Sequence, residues 1–439
     1  MDTAEIVKLC QRHTIFSWSA QSKVAPVVVD RASGIYFWDP SGKRYIDFNS
    51  QLMCVNIGHN HPKVVEAIKK QADRLLFVYP GFATEPRARL GKLLSEIVPG
   101  DINKFFFTNG GAEANEAAIK VARLYTGRHK ILSRYRSYHG ATHGAMQATG
   151  DPRRWPTEPG ASGFVKVMDP VPYRFRFGES EEEQTRRNLE YLAEVIDYEG
   201  PQSIAAMFIE TVTGTNGILP PPQGYLAGLR ELLDRHGILL VCDEVMAGFG
   251  RTGKMFAFEH YGVQPDLVTM AKGLTSSALP LGALGMRDRI AAHFDNNVFW
   301  TGLTYSSHPM GLAAALAAVR VLIDEGLVEN AARMQNVMLE HMAALKKKHP
   351  SVRAYRAIGL FGGIELQKNS RGEPLSAYNT THEAVTGLGK ALLDRGLYTM
   401  THWHMVFCNP PLCITAEQLG EAFAIFDEAL AVTDAVFEG

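Results

Sequence analysis

Between residues 104 and 286 the chain repeats one theme: a short apolar run, then in most cases a helical or loop segment, then another short apolar run. The runs are KFFFT, HKILSRY, GFVKVMD, IAAMFIE, GILLVCDE, DLVTMA and LGALGM. Strands buried on both faces read this way, and a chain that alternates them with helices builds a largely parallel sheet. Ala112–Tyr125, Glu181–Tyr198 and Tyr225–His236 are the best connecting helices. The expected fold class is therefore α/β.

The flanks read differently. Residues 27–48 alternate β-rich pieces with Ser33-Gly34 and Ser41-Gly42 turns, the pattern of a small antiparallel meander. After His308-Pro309 two helical runs stop near Gly326 and Pro350, and strand-like pieces follow around Phe361–Leu366 and Met405–Cys408. Thr415 with Gln418 three residues on has the form of a capping box that opens a last helix. With 439 residues there is room for two domains. The expected division is residues 1–60 as one part of a small domain, 61–310 as a large α/β domain, and 311–439 as the rest of the small domain.

A net charge of -1, with both signs dispersed, leaves no basic footprint for nucleic acid. No apolar run nears the ~20 residues that cross a bilayer. Asp2 and Glu5, without a long apolar stretch behind them, do not read as a signal peptide. Five unpatterned cysteines point to reduced thiols and a cytoplasmic setting. The His59/His61 and His402/His404 pairs lack a third ligand close by, so no metal is expected.

Three features stand at the carboxyl ends of predicted strands, where open α/β sheets place ligands. Thr108-Asn109-Gly110-Gly111-Ala112 leads from KFFFT into a helix; its glycines admit a close ligand, and the helix start offers free N–H groups to a phosphate. Asp243 ends GILLVCD, where a carboxylate needs a cation or donors, and a protonated pyridine nitrogen supplies both. Lys272 follows DLVTMA, where partial burial favours the neutral amine that forms a Schiff base. Alone, each has an ordinary reading: a tight turn, a helix cap, a solvated loop lysine. Together, in this order, they compose a phosphate anchor, a ring-nitrogen partner and an imine-forming amine.

The stretches TNGGAEANEAAIKVAR, RSYHGAT, ETVTGTNG, VCDEVMAGFGRTGK, PDLVTMAKG and GLTYSSHP resemble, in order, the motifs of the class III, or ω-amino-acid, aminotransferases. The similarity runs over nearly the whole chain, and looks closest to enzymes acting on taurine, β-alanine and other ω-amines. It implies a fold-type I transferase: a large domain with a mostly parallel seven-stranded sheet, plus a small α+β domain from both termini. It implies pyridoxal 5'-phosphate held on Lys272, with ping-pong transfer from an ω-amine to a 2-oxo acid such as pyruvate or 2-oxoglutarate. By match, Asp243 binds the pyridine nitrogen, Tyr138 and Val245 cover the ring faces, and Gly110, Gly111 and Ala112 take the phosphate. Glu210 resembles the acid near the ring substituents, and Thr304 a phosphate ligand given by the neighbouring subunit, which implies a homodimer, or pairs of dimers, with shared sites. Trp18, Met53, Phe82, Tyr138 and Trp403 resemble pocket-wall residues.

One departure matters for substrates. Many relatives carry a mobile arginine where this chain reads Tyr398-Thr399-Met400-Thr401-His402-Trp403-His404. The acceptor carboxylate is then left to His402, Trp403, His404 or a distant arginine such as Arg136, and a histidine partner would weaken acceptor binding as pH rises through ~6.5. Two other readings compete. An aminomutase, racemase or decarboxylase would use the same cofactor. An NAD-dependent dehydrogenase would use Gly248-x-Gly250-x-x-Gly253, although aromatic Phe256 and Phe258, rather than an opening helix, follow that string.

Overall fold

The computed structural model describes residues 1–439. Its seven runs form one sheet: β1 (Ile102–Thr108), β2 (Lys130–Arg134), β3 (Phe164–Val167), β4 (Ile204–Glu210), β5 (Leu239–Asp243), β6 (Leu267–Met270) and β7 (Gly282–Arg287). The order across the sheet is β1-β7-β6-β5-β4-β2-β3. All pairings among β2 to β6 are parallel, while β7 runs antiparallel to both of its neighbours, β1 and β6. The reversal has a physical cause. Only a single short turn, Lys272–Leu274, lies between β6 and β7, and a parallel return needs a longer crossover, usually with a helix. Every residue of β4, β5 and β6 is buried, as strands covered on both faces must be.

The connecting helices start and stop on local signals. Helix α1 (Gly111–Thr126) ends at Gly127 in the left-handed conformation (φ 68°). Helix α2 (Glu181–Glu199) is capped by the Ser180 side chain, and its three leading glutamates face the positive end of the helix dipole. Helix α3 (Tyr225–His236) stops at left-handed Gly237. After the sheet, α4 (Pro309–Asp324) and α5 (Leu327–Lys348) are separated at Gly326.

The two ends of the chain meet. Arg31–Ser33, Tyr36–Trp38 and Arg44–Asp47 make the antiparallel meander, and Leu397–Tyr398 joins it in parallel register with Ile46 and Asp47. Val352–Ile358, Phe361–Leu366, Met405–Cys408 and Thr401–His402 form a further antiparallel sheet. The last helix, Ala416–Ala429, opens on the reciprocal Thr415–Gln418 capping box. No helix is long and apolar enough to cross a membrane.

Candidate active site

The carboxyl ends of β1, β2, β4, β5 and β6 open on one cavity of about 470 Å³. At β1 the chain turns through Asn109 and Gly110 into α1, and no side chain caps that helix. Its first N–H groups are therefore free donors beside the cavity, with the dipole favouring an anion. A Cβ on Gly111 would lie 2.9 Å from both Val245 methyl carbons. Only glycine lets the helix start come so close to the turn after β5.

Asp243 ends β5, 4% exposed. Its Oδ2 accepts hydrogen bonds from His139 Nδ1 and Asn115 Nδ2, each at 2.8 Å, and its Oδ1 accepts from the Val245 N–H at 3.0 Å. Three donors hold the carboxylate in one orientation. Glu210 lies directly beside it in the parallel register of β4 and β5. Burial, with Asp243 adding to it, pushes the Glu210 carboxyl above the usual range. Its two oxygens accept the Tyr138 and Gly214 N–H groups at 2.9 and 2.7 Å.

Lys272 follows β6 and lines the same cavity. Its backbone is left-handed (φ 44°), and Ser276 (φ 50°) and Ser277 (φ 58°) repeat this within five residues. Such conformations cost non-glycine residues energy and persist where the surroundings impose them. Burial pushes the Lys272 ammonium pKa down, against smaller opposing effects of Cys54, Asp243 and Glu210. The neutral amine is thereby easier to reach.

Tyr138 also lines the cavity, and Trp18 meets its ring edge-on at 6.1 Å. The Arg153 guanidinium stacks over the Tyr138 ring at 3.7 Å and reaches Trp18 at 5.5 Å. This cation is the main feature that the sequence did not announce. It sits on a short 3-10 turn, Pro152–Thr157, whose only local signal is the Asp151-Pro152 start. His139 and Asn115 were likewise inside recognised stretches without an assigned role.

The remaining predicted residues fall elsewhere. Met53 is buried with Val212, Ile218 and Met246, so it backs the cavity wall through Met246 without lining it. Trp403 is packed between Tyr378 and His402. Phe82 and Thr304 are exposed; Phe82 packs on Tyr79. Neither these four nor Trp18, which is exposed, are lining residues of the cavity.

The histidine hypothesis for the acceptor requires correction. Burial, reinforced by Arg153, pushes His402 down to about 4, and burial moves His404 in the same direction. Both rings are neutral near pH 7, so neither offers a charge that titrates at ~6.5. Acceptor KM should therefore be flat over roughly pH 6 to 8 as far as these rings are concerned, in wild type and in His402→Ala and His404→Ala alike. Steady-state assays across that range check it. Arg136 lies outside the cavity lining: Nη1 donates to Val171 O at 3.2 Å and Nη2 to Asn216 O at 2.6 Å, while its buried Nε has no partner.

The glycine string 248–253 lies in turns that lead only to a short 3-10 segment, Ala257–Tyr261. Inside it, fully buried Arg251 donates to Ser50 Oγ, Asn56 Oδ1 and the carbonyls of Leu360 and Pro410. The string is a tie between distant parts of the chain, and the dinucleotide reading fails because no helix opens there.

An uncapped helix start, a held carboxylate, a buried amine and an aromatic ring around one cavity fit a flat phosphate ester with a basic ring nitrogen and an aldehyde. The comparisons agree. The model of the class-III aminotransferases matches residues 17–430. The chain is similar to the taurine–pyruvate aminotransferase of Bilophila wadsworthia, 32% identical with 99% of each chain covered. Among solved structures, it is similar to the taurine:2-oxoglutarate aminotransferase of Bifidobacterium kashiwanohense, solved with pyridoxal phosphate and glutamate. The identity there is 42% and the TM-score 0.96, covering 100% of this chain and 99% of that one. An (S)-enantioselective omega-transaminase from Thermomicrobium roseum is 36% identical with a TM-score of 0.92, and 98% of each chain is covered. Sequence, fold and cavity thus converge, and the chain belongs to the class-III aminotransferases, fold-type I enzymes that use pyridoxal phosphate.

Proposed function

We propose that this aminotransferase takes the amino group of a short ω-amine ending in an acid group, of the taurine or β-alanine type, and gives it to a 2-oxo acid such as 2-oxoglutarate or pyruvate. The observation that carries this reading is Arg153. Its guanidinium lies over the ring of Tyr138, a cavity-lining residue, and its Nη1 makes no hydrogen bond within the chain. A guanidinium with a free edge is the natural partner of a carboxylate or sulfonate. The names of the two taurine aminotransferases among its relatives support the same substrate class.

When bound, pyridoxal phosphate supplies an aldehyde to join amines and a protonated ring that draws electrons from the adjacent carbon. The chain's own groups take the other roles. Lys272 Nζ would hold the cofactor at rest and, once the donor amine displaces it, the freed amine would take the proton from the donor's amine-bearing carbon and return it in the next step. Asp243 keeps the ring nitrogen protonated, and His139 and Asn115 keep Asp243 oriented. The N–H groups at Gly111 and Ala112, next to Gly110, would hold the phosphate, Tyr138 and Val245 would cover the ring, and Glu210 would meet its substituents. Arg153 and Trp18 meet the acid end of the substrate.

Exposed Phe77, Tyr79, Phe82, Trp300 and Tyr305 give an aromatic surface beside Thr304. That surface supports a homodimer in which Thr304 and Phe82 serve the partner's site. Five unbridged cysteines support a cytoplasmic setting.

The test compares taurine, β-alanine and propylamine, donors of matched length that differ in the terminal group. The first two should exceed propylamine in kcat/KM, and Arg153→Ala should cut that advantage by about tenfold or more. Equal kcat/KM for all three donors would reject the acid-recognition reading.

A further inference from the structure

Arg153 cannot hold its pose by itself. A guanidinium on a flexible stem loses rotamer freedom when fixed, and stacking at an open cavity does not select one rotation of its plane. The selection comes from Asp151, the residue that caps the Pro152–Thr157 turn. Asp151 is 1% exposed. Arg153 Nε donates to its Oδ1 and Oδ2 at 3.1 and 3.0 Å, and Arg153 Nη2 donates to Oδ2. The second Nη2 proton goes to Thr215 Oγ1 at 2.8 Å. Asp151 is itself held, by Asn216 Nδ2 on Oδ2 at 3.1 Å and by the Arg153 N–H on Oδ1 at 3.0 Å.

Three of the five guanidinium protons are thereby spoken for, all on the Nε–Nη2 side. The two on Nη1 are left. We propose that Asp151, with Thr215, is a positioning residue for substrate selection: it fixes the guanidinium plane across Tyr138 so that Nη1 alone is presented to the acid group of the substrate. The proposal rests on the reading of Arg153 as the acid-binding residue. Asp151 touches no substrate in this account and acts only through Arg153. Thr215 and Asn216 come from the segment after β4, and Asp151 from the loop after β2. The pose of Arg153 is thus tied to the same strand ends that carry Glu210 and Tyr138.

The experiment measures the ratio of kcat/KM for taurine to that for propylamine in the holoenzyme. The variants are Asp151→Asn, Thr215→Val and Arg153→Ala. Asp151→Asn keeps the shape but removes the charge and one acceptor for the fork. The ratio should fall about tenfold in Asp151→Asn, the effect of one misdirected charge-assisted hydrogen bond, with the loss in taurine KM rather than kcat. Thr215→Val should fall by about threefold and carries the test if Asp151→Asn does not fold. A purely structural role would depress both donors equally and leave the ratio unmoved, which overturns the proposal. An unmoved ratio in Asp151→Asn or Thr215→Val, beside a collapsed one in Arg153→Ala, rejects the positioning role alone. An unmoved ratio in Arg153→Ala rejects the acid-binding reading itself.

Discussion

Lys272→Ala should bring amino transfer to the level of the enzyme-free reaction and leave nothing for borohydride to fix on the chain. The amine has no substitute nearby: the other cavity-lining residues include carboxylates, a histidine, a tyrosine and hydroxyls, but no second lysine. Two functions fail together, the resting attachment of the cofactor and the proton transfer at the substrate carbon. Cofactor should still enter, because the helix start at Gly111 and the anchor at Asp243 are untouched. The check is threefold: turnover with a donor and acceptor, visible absorbance of the purified variant, and peptide mass after borohydride. Near-wild-type turnover would end the assignment.

Asp243→Asn should lower kcat by roughly 10³-fold, within the usual worth of one well-placed proton-holding group, with the fold intact. The present carboxylate accepts from His139, Asn115 and Val245. An asparagine of the same shape keeps one acceptor oxygen but turns an NH₂ group toward one of these donors or toward the ring. The ring nitrogen then loses the charge that stabilises its proton, and with it most of the electron-withdrawing power. Circular dichroism and cofactor content should stay close to wild type while kcat falls for every donor tested. A variant that keeps most of its activity would show the carboxylate to be structural.

Asp243 and Lys272 were legible in the sequence because the first ends, and the second closely follows, a strand that announces itself. GILLVC is apolar up to Asp243, and LVTMA has only Thr269 as a polar residue before Lys272, so the charged residue after each marks the sheet edge. The reversed direction of β7 was also written there, in the eleven residues between Met270 and Gly282 that hold no crossover helix, but an apolar run carries no arrow. Arg153 was not legible. It stacks on a tyrosine fifteen residues earlier through a turn without a repeat or a motif, and only the folded loop brings the two together. For Met53 and Trp403 the sequence does not separate lining from backing: an apolar side chain one layer behind a wall has the same sequence signature as one in it. The histidines at 402 and 404 differ again, since the sequence gives their identity but not the burial that strips their charge.

In the proposed two-step transfer the amino group leaves the donor, rests on the enzyme, and is handed to a separate acceptor. This transfer is tested most directly by mixing the purified holoenzyme with taurine and no 2-oxo acid. One aldehyde should be released per active site, with a lasting change in the visible absorbance and full recovery of the original spectrum once 2-oxoglutarate or pyruvate is added. Continuous product formation without an acceptor, or an isomerised amine in place of an aldehyde, would contradict the two-step transfer.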